Sequence, residues 1–387
     1  MEIYVVGGAV RDELLGLPVQ DRDYVVVGAS PEDMLARGYR PVGKDFPVFL
    51  HPVTQAEYAL ARTERKTGPG YSGFAFHADP SVTLEQDLMR RDLTINAMAR
   101  SREGGLVDPY GGQRDLERRT LRHVSSAFAE DPVRILRVAR FAARFQDFSL
   151  APETLQLMSL MVDNGEADHL VAERVWQELA RGLGEAAPSR MLRVLRACGA
   201  LARLLPEAEE IFADEAAGEH VLRVIDLAAA AGLSIEVRWA CLLADWRLPP
   251  GRAEGVAASV SRATLASERV RAPVACRELA ILTAREHPWV QAANHLEAES
   301  LVALLERGDA LRRPERFAGL VAACGCHWRA QEDAEAQEVK FSGRLEKACS
   351  AMRGVDAGAI AQACPDRAAI ADAVRAARVA AVRAALG

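Results

Sequence analysis

Apolar residues follow two different rhythms along this chain. Up to about residue 125 they come in short runs, such as Val25-Val26-Val27 and Val48-Phe49-Leu50. Glycine and proline clusters separate the runs, for example Gly68-Pro69-Gly70 and Asp108-Pro109-Tyr110-Gly111-Gly112. Short apolar runs bounded by turn residues read as strands. From Asp131 onward Ala, Leu, Arg and Glu recur at helical spacing, and no alternating pattern persists. Pro188, Pro206, Pro249-Pro250, Pro273 and Pro314 break this stretch into helices of ordinary length. No repeat of solenoid period is present. The pattern predicts an α+β chain, a small mixed-sheet head followed by a long all-helical remainder.

Half of the 387 residues are apolar and 26% are charged, enough for a sizeable core. The longest charge-free runs, residues 67–78 and 317–328, have twelve residues each. A membrane-spanning helix needs about 20 apolar residues, so none is expected. The start, Met1-Glu2-Ile3-Tyr4-Val5-Val6, has neither a basic beginning nor an apolar signal core, and reads as a cytosolic chain starting in its first strand. Seven cysteines without metal-site spacing read as reduced thiols. The net charge of −6 announces no nucleic-acid partner, but its distribution is uneven. Only Lys44, Lys66, Lys340 and Lys347 are lysines, which leaves 44 arginines. Residues 90–144 hold 12 arginines against seven acids, a local +5, so the rest sums to −11. A phosphate-attracting surface is expected there.

Val5-Val6-Gly7-Gly8-Ala9-Val10-Arg11-Asp12 reads as a strand, a glycine turn and a helix start. Adjacent glycines let the backbone approach a ligand, the helix start offers unpaired N–H groups, and Arg11 reaches the same anion. Gly8 and Arg11 are therefore candidate triphosphate contacts. Asp21-Arg22-Asp23 then opens the apolar run Tyr24-Val25-Val26-Val27. On a strand, residues i and i+2 share a face, so both carboxylates are expected to point the same way. Like charges at that spacing call for a bridging cation, and hard oxygen donors suit Mg2+. A glycine cradle, a helix and an Asp-x-Asp strand form the ordered set that two-metal nucleotidyl transfer requires. Arg90-Arg91-Asp92 precedes the apolar segment at residues 93–98, where a helix or strand would aim one arginine at the phosphates.

These motifs resemble those of the bacterial class II tRNA nucleotidyltransferases, the CCA-adding enzymes, within the polymerase β-like superfamily. The resemblance rests on Gly7-Gly8-x-x-Arg11-Asp12 with Leu14-Leu15-Gly16, Asp21-Arg22-Asp23, Ala61-Arg62-Thr63-Glu64, Arg90-Arg91-Asp92-Leu93-Thr94-Ile95-Asn96-Ala97, Asp108-Pro109, and Glu130-Asp131-Pro132-x-Arg134-Ile135-Leu136-Arg137. It covers about residues 1–200 closely and the remainder loosely. It implies catalytic, metal-binding Asp21 and Asp23, and ribose or phosphate contact by Arg91. Residues 66–87 read either as a mobile loop, which in similar enzymes influences the change from C to A addition, or as a hairpin linker. A third catalytic carboxylate is open among Glu57, Glu64 and Asp92.

Helical spacing of three would put Asp131 and Arg134 on one face. A carboxylate accepting from an exocyclic amine, beside a guanidinium donating to the ring nitrogen, fits both cytosine and adenine. Guanine and uracil place a carbonyl where the amine should be, leaving buried polar groups unsatisfied at roughly 1–3 kcal/mol each. Arg137, Arg140 and Arg144 continue the stripe from Arg134 within an arc of about 120°. The residues between them are apolar, so these arginines need anionic partners. A bound triphosphate supplies one, which makes Arg137 and Arg140 nucleotide contacts and leaves Arg144 undecided.

Four parts are expected: a nucleotidyltransferase head at 1–125, a helical neck at 126–205 for base and RNA binding, a body at 206–330, and a helical tail at 331–387. Similar enzymes often carry a His…His-Asp phosphohydrolase in the body. Here the pair reads Ala244-Asp245 after Glu219-His220, so the body is expected to be a degenerate scaffold. His287, His295 and His327 stand isolated in sequence. The Ala-rich end at 366–386, with Arg367, Arg375, Arg378 and Arg383, reads as a helix that either touches tRNA or simply packs. The expected activity is addition and repair of the 3′-terminal CCA of tRNA from CTP and ATP with Mg2+, in the cytoplasm. No membrane or protein partner is implied, and the chain is a monomer or homodimer. The rivals are a poly(A) polymerase of the same family and an inactive tRNA-binding protein.

Overall fold

A computed structural model describes residues 1–42, 48–66, 74–77, 79–248, 250–331 and 338–387. The chain divides into two units, Met1–Gly182 with Arg190–Leu204, and Leu183–Ser189 with Leu205–Gly387.

A mixed seven-stranded sheet organises the first unit. β1 (Glu2–Val6) leads through α1 (Gly8–Leu14) into β2 (Asp23–Val27), with Val6 opposite Asp23 in the antiparallel pair. α2 (Pro31–Ala36), β3 (Arg40–Val42), β4 (Val48–Leu50) and β5 (Glu57–Leu60) follow, and β5 pairs parallel with β2. β6 (Thr63–Lys66) and β7 (Phe74–His77) form a separate hairpin. α3 (Leu84–Met89) opens on a capping box between Thr83 and Gln86. A 3-10 turn at Thr94–Asn96 leads into β8 (Ala99–Ser101) and β9 (Leu106–Val107), which complete the order β3-β4-β5-β2-β1-β8-β9. Alternation sends neighbouring valines to opposite faces. Val25 packs with Val6, Leu84, Leu88, Ala97 and Ala99, whereas Val26 packs with Met34, Tyr39, Phe49 and Leu60.

After α4 (Gly112–Glu117) and β10 (Thr120–Leu121) comes α5 (Val133–Arg144), then β11 (Ser149–Leu150), α6 (Pro152–Asp163), α7 (Ala172–Gly184), α8 (Pro188–Ala197) and α9 (Ala200–Leu204). Two expectations need adjusting. The helical stretch contains one short strand, because β11 pairs in parallel with β10. The segment at 66–87 is not wholly loop, since β7 and the start of α3 fall inside it; its residues 67–73 and 78 lie outside the described residues.

Helices make up the second unit: α10 (Pro206–Glu209), α11 (Glu215–Ala230), α12 (Ile235–Leu243), α13 (Ala253–Arg269), α14 (Val274–Gln291), α15 (Ala298–Arg307), α16 (Pro314–Arg329), α17 (Glu338–Arg353), α18 (Ala357–Ala363) and α19 (Ile370–Leu386). The prolines stand where a missing N–H costs least: Pro188, Pro206 and Pro314 open helices and Pro273 caps one. Pro288 is the exception, inside α14. The terminal α19 packs on α15, with Arg375 and Arg378 on Glu306 at 3.5 and 3.3 Å and Arg383 on Glu299. Those three arginines are held by the protein itself.

The body's histidines are not isolated in space. His220 of α11 shares a 2.7 Å hydrogen bond with His327 of α16. The Trp246 ring stacks on His327 at 4.8 Å and lies 5.2 Å from His287. Among the described residues, no group of three or more His, Cys, Asp and Glu is placed to hold a metal ion. Burial pushes His220 down to about 4 and His327 down to about 3, and also lowers His287. Unfolded histidines take up protons below about pH 6.5, while these stay neutral in the fold, so stability must fall as pH drops from there towards 4. We expect calorimetric unfolding of the second unit to shift to lower temperature between pH 7 and pH 5. His327→Gln should flatten that slope; an unchanged slope would show that the histidine cluster does not carry it.

Candidate active site

β1 ends, β2 begins and the 3-10 turn lies at one end of the sheet, and α5 packs there. Between them opens a cleft of about 470 Å3. Its lining includes Gly7, Gly8, Asp23, Asp92, Asn96, Asp131 and Phe141, together with eight arginines: Arg11, Arg90, Arg91, Arg134, Arg137, Arg140, Arg144 and Arg174. Gly7 has φ +72°, and a Cβ there would sit 2.9 Å from Arg91 Nη1. A side chain at this position would be strained and would displace the arginine, which is why the turn needs glycine.

Carboxylates pack among the guanidinium groups, Asp92 bordering the cleft and Asp12, Asp87 and Glu178 outside its lining. Asp92, on the approach to the 3-10 turn, accepts from Arg137 Nε at 2.7 Å, from Asn96 Nδ2 at 3.0 Å and from the Leu93 amide at 2.8 Å. Burial alone would raise its carboxyl, but the Arg137 charge and these hydrogen bonds outweigh that and hold it below the usual carboxylate range. Asp12 takes Arg11 on Oδ1 at 2.8 Å and Arg144 on Oδ2 at 2.9 Å. Asn96 Oδ1 accepts from Arg11 Nη1 at 2.5 Å, so one polar chain runs Arg144–Asp12–Arg11–Asn96–Asp92–Arg137. Arg11 is 3% exposed, and its guanidinium lies 5.2 Å from the rings of both Phe141 and Phe145. Desolvation lowers its pKa, opposed by Asp12. Asp87 pairs with Arg90 at 2.7 Å and Arg91 at 3.3 Å, and Glu178 of α7 takes Arg140 at 2.7 Å.

The expected site residues distribute as follows. Gly8, Arg11, Arg91, Asp131, Arg134, Arg137 and Arg140 share the cleft with Asp23. Asp21 is exposed, ahead of the first residue of β2, and is not among the lining residues. The stripe on α5 is real, and carboxylates of the protein itself already meet it. Arg137, Arg140 and Arg144 reach protein carboxylates on Asp92, Glu178 and Asp12.

Asp131 and Arg134 are not neighbours on a helix face. Asp131 is extended (φ −115°, ψ 105°) ahead of α5, since a residue before proline is pushed out of the helical region. Its carboxylate accepts from the Val133 amide at 3.1 Å and from Arg174 at 3.0 Å. Arg134 is buried and donates to the carbonyls of Ala127 at 2.6 Å and Arg90 at 2.5 Å. Arg91 keeps a buried Nε without a hydrogen-bond partner in a cleft that is otherwise closely bonded.

Of the three open carboxylates, Asp92 is fully engaged, and the side chain of Glu64 lies outside the described residues. Glu57 is exposed at the start of β5, directly before Tyr58, which pairs with Tyr24; Asp23 directly precedes Tyr24. Asp21 and Asp23 are both exposed hard oxygen donors, a type of ligand that suits an ion keeping its remaining positions for phosphates and water.

The poly A polymerase head domain family matches residues 3–122, and the probable RNA and SrmB-binding site of polymerase A matches residues 147–212. A multifunctional CCA protein of Azoarcus sp. (strain BH72) is 60% identical over 404 residues, covering 99% of this chain and 97% of that one. The chain belongs to the multifunctional CCA protein family. A second member, from Aromatoleum aromaticum, is 58% identical over 99% of this chain and 98% of its own. The crystal structure of the Bacillus stearothermophilus CCA-adding enzyme in complex with CTP has the same fold, at TM-score 0.69 and 23% identity over 99% of this chain and 89% of that one.

In this family member, reading the sequence missed Asp12, Asp87, Asn96, Arg174 and Glu178. Asp12 and Asn96 stand inside the quoted motifs, so their proximity to Arg11 and Asp92 was there to be seen. Asp87, Arg174 and Glu178 lie outside them, and no spacing rule joins α7 to residues about forty positions earlier.

The pairing yields a stability prediction. Asp92→Ala leaves the Arg137 charge without its partner, which should cost about 3 kcal/mol in denaturant unfolding at pH 7. Asp92→Ala with Arg137→Met should be less destabilised than the single change. Because the Asp92 carboxyl is depressed in the fold, its contribution is present above about pH 4 and disappears as pH falls further, so the single variant should lose less than the parent on acidification.

Proposed function

We propose that this chain adds C, C and A to the 3′ end of tRNA from CTP and ATP, through the cleft between the sheet and α5. What carries the reading is one space in which a glycine turn, an exposed carboxylate and the guanidinium stripe of α5 meet, in a chain of the CCA protein family. The tRNA 3′ oxygen attacks the α-phosphorus of the triphosphate, the bond to the bridging oxygen breaks, and pyrophosphate leaves.

Asp21 and Asp23 hold Mg2+, with Glu57 as the third carboxylate. When bound, the ion neutralises phosphate charge and favours the ionised hydroxyl. The Gly8 backbone, Arg11 and Arg91 grip the phosphates and sugar, and the unpartnered Arg91 Nε supports that role. Arg137 and Arg140 complete the grip, each already oriented by a carboxylate. Asp131 accepts the amine common to cytosine and adenine. Arg134, tied to the Arg90 carbonyl, sets α5 against the phosphate-binding arginines and completes base reading. The head and neck form the catalytic part, the neck also binds the RNA, and the enzyme works in the cytoplasm. Among the described residues no helix is long and apolar enough to cross a membrane.

The decisive experiment incubates the protein with tRNA lacking its last three nucleotides and CTP, ATP or both. Two CMP additions from CTP, and AMP only after them, are expected. A long A tail from ATP alone would make it a poly(A) polymerase, and no addition would make it an RNA-binding protein. Asp23→Ala should lower C and A addition together by more than about 100-fold, because both depend on the same ion. Asp131→Ala should weaken CTP and ATP use and relax rejection of UTP, by about 1.5–3 kcal/mol or roughly 10- to 150-fold in relative efficiency. An unchanged CTP-to-UTP ratio in that variant would remove Asp131 from base reading.

A further inference from the structure

α7 contributes to none of the motifs quoted in the sequence analysis, yet it supports the cleft at two points. Arg174 and Glu178 are four residues apart and so share one face of the helix. Arg174 donates Nη2 to Asp131 Oδ2 at 3.0 Å and Nη1 to Oδ1 at 3.4 Å. Glu178 accepts Arg140 Nε on Oε2 at 2.7 Å and Arg181 Nη1 on Oε1 at 3.4 Å. One helix therefore presents a cation to the acid expected to read the base and an acid to a cation expected to hold phosphate.

Asp131 needs such support more than the arginines of α5 do. It lies ahead of the helix with an extended backbone, and α5 itself meets its side chain through the Val133 amide on Oδ1 at 3.1 Å, which leaves Oδ2 to be fixed from elsewhere. A carboxylate distinguishes an amine from a carbonyl only if its oxygens are fixed where the base edge arrives. If it can turn away, a uracil carbonyl no longer faces a fixed lone pair. A guanidinium gripping both oxygens fixes the plane of the carboxylate and leaves its other lone pairs for a base. Arg174 also lines the cleft, so this grip lies beside the space that a base would fill.

We infer that Arg174 is a positioning residue for base choice: it orients the Asp131 carboxylate, while Glu178 on the same face orients Arg140 for the triphosphate. The inference rests on Asp131 as the acceptor of the base amine. It divides α7 into two tasks that kinetics can separate. Loss of Arg174 damages selection, whereas loss of Glu178 damages triphosphate binding whatever the base.

The test measures single-nucleotide incorporation of CTP, ATP and UTP on tRNA lacking its last three nucleotides. The variants are Arg174→Ala, Arg174→Lys, Glu178→Gln, Asp131→Ala and Asp131→Ala with Arg174→Ala. A misplaced contact of this kind costs between about 10- and 100-fold, and that is the expected fall in the CTP-to-UTP ratio for Arg174→Ala. Arg174→Lys keeps the charge but not the fork, so it should recover part of the ratio and also guard against a folding defect. Glu178→Gln should raise KM for CTP, ATP and UTP alike, with their ratios unchanged. In the Asp131→Ala background, loss of Arg174 should change the ratio no further. If Arg174→Ala slows all three nucleotides equally while Asp131→Ala collapses the ratio, Arg174 is only a structural strut and the inference fails. If Asp131→Ala itself leaves the ratio intact, the base-reading assignment fails first, and the inference falls with it.

Discussion

Eight guanidinium groups cannot line one cleft unless something answers their charge. In this first unit the answer is a hidden layer of carboxylates, Asp12, Asp87, Asp92 and Glu178, each at most 8% exposed. An arginine carries five N–H donors in a rigid fork, so one edge can face a protein carboxylate while another faces the cleft. That division of each side chain lets the cleft stay positive without flying apart. It also fixes the arginines in advance, so little side-chain entropy remains to be lost when a triphosphate arrives. The sheet supplies the glycine turn and Asp23, and α5 supplies the stripe, but the carboxylate layer makes the two compatible.

Much of this was legible in the chain. The strand runs at Val25 and Phe49, the turn at Gly7-Gly8, and the apolar-plus-arginine stripe of α5 all follow local rules that the structure obeys. What could not be read was the answering layer. Asp12 and Arg144 are far apart in sequence, as are Glu178 and Arg140, and a pairing across such a distance leaves no periodic trace. A helix viewed alone shows only that the stripe of α5 needs anionic partners, not that the rest of the unit brings carboxylates to it. The error over Asp131 was avoidable. Pro132 stands next to it, and proline's restriction on the preceding residue argues against a shared helix face with Arg134.

The second unit shows the opposite limit. Its histidines are scattered in sequence, and nothing in the spacing of His220, His287 and His327 predicts that two of them hydrogen-bond to each other beside the ring of Trp246. The substitution that was legible, Ala244 beside Asp245, says only that this pair holds no imidazole. It did not reveal that the remaining histidines would be drawn into an apolar, aromatic packing. A single residue is visible in the sequence, whereas the packing of these histidines depends on helices brought together only by folding.

The dependence of the head on α5 has a consequence for synthesis. A chain leaving the ribosome presents residues 1–125 first, and its strands and helices can pair at once. Asp92 and Asp12 must nevertheless wait for Arg137 and Arg144, which are still inside the tunnel. Until they emerge, Asp12 has only Arg11 as a charged partner and Asp92 has hydrogen bonds from Asn96 and the Leu93 amide but no guanidinium, so the end where the cleft forms lacks part of its charge balance. The last step in completing the head is thus the arrival of a helix outside it. A tRNA or triphosphate meets this surface only after the segment that recognises it has been made.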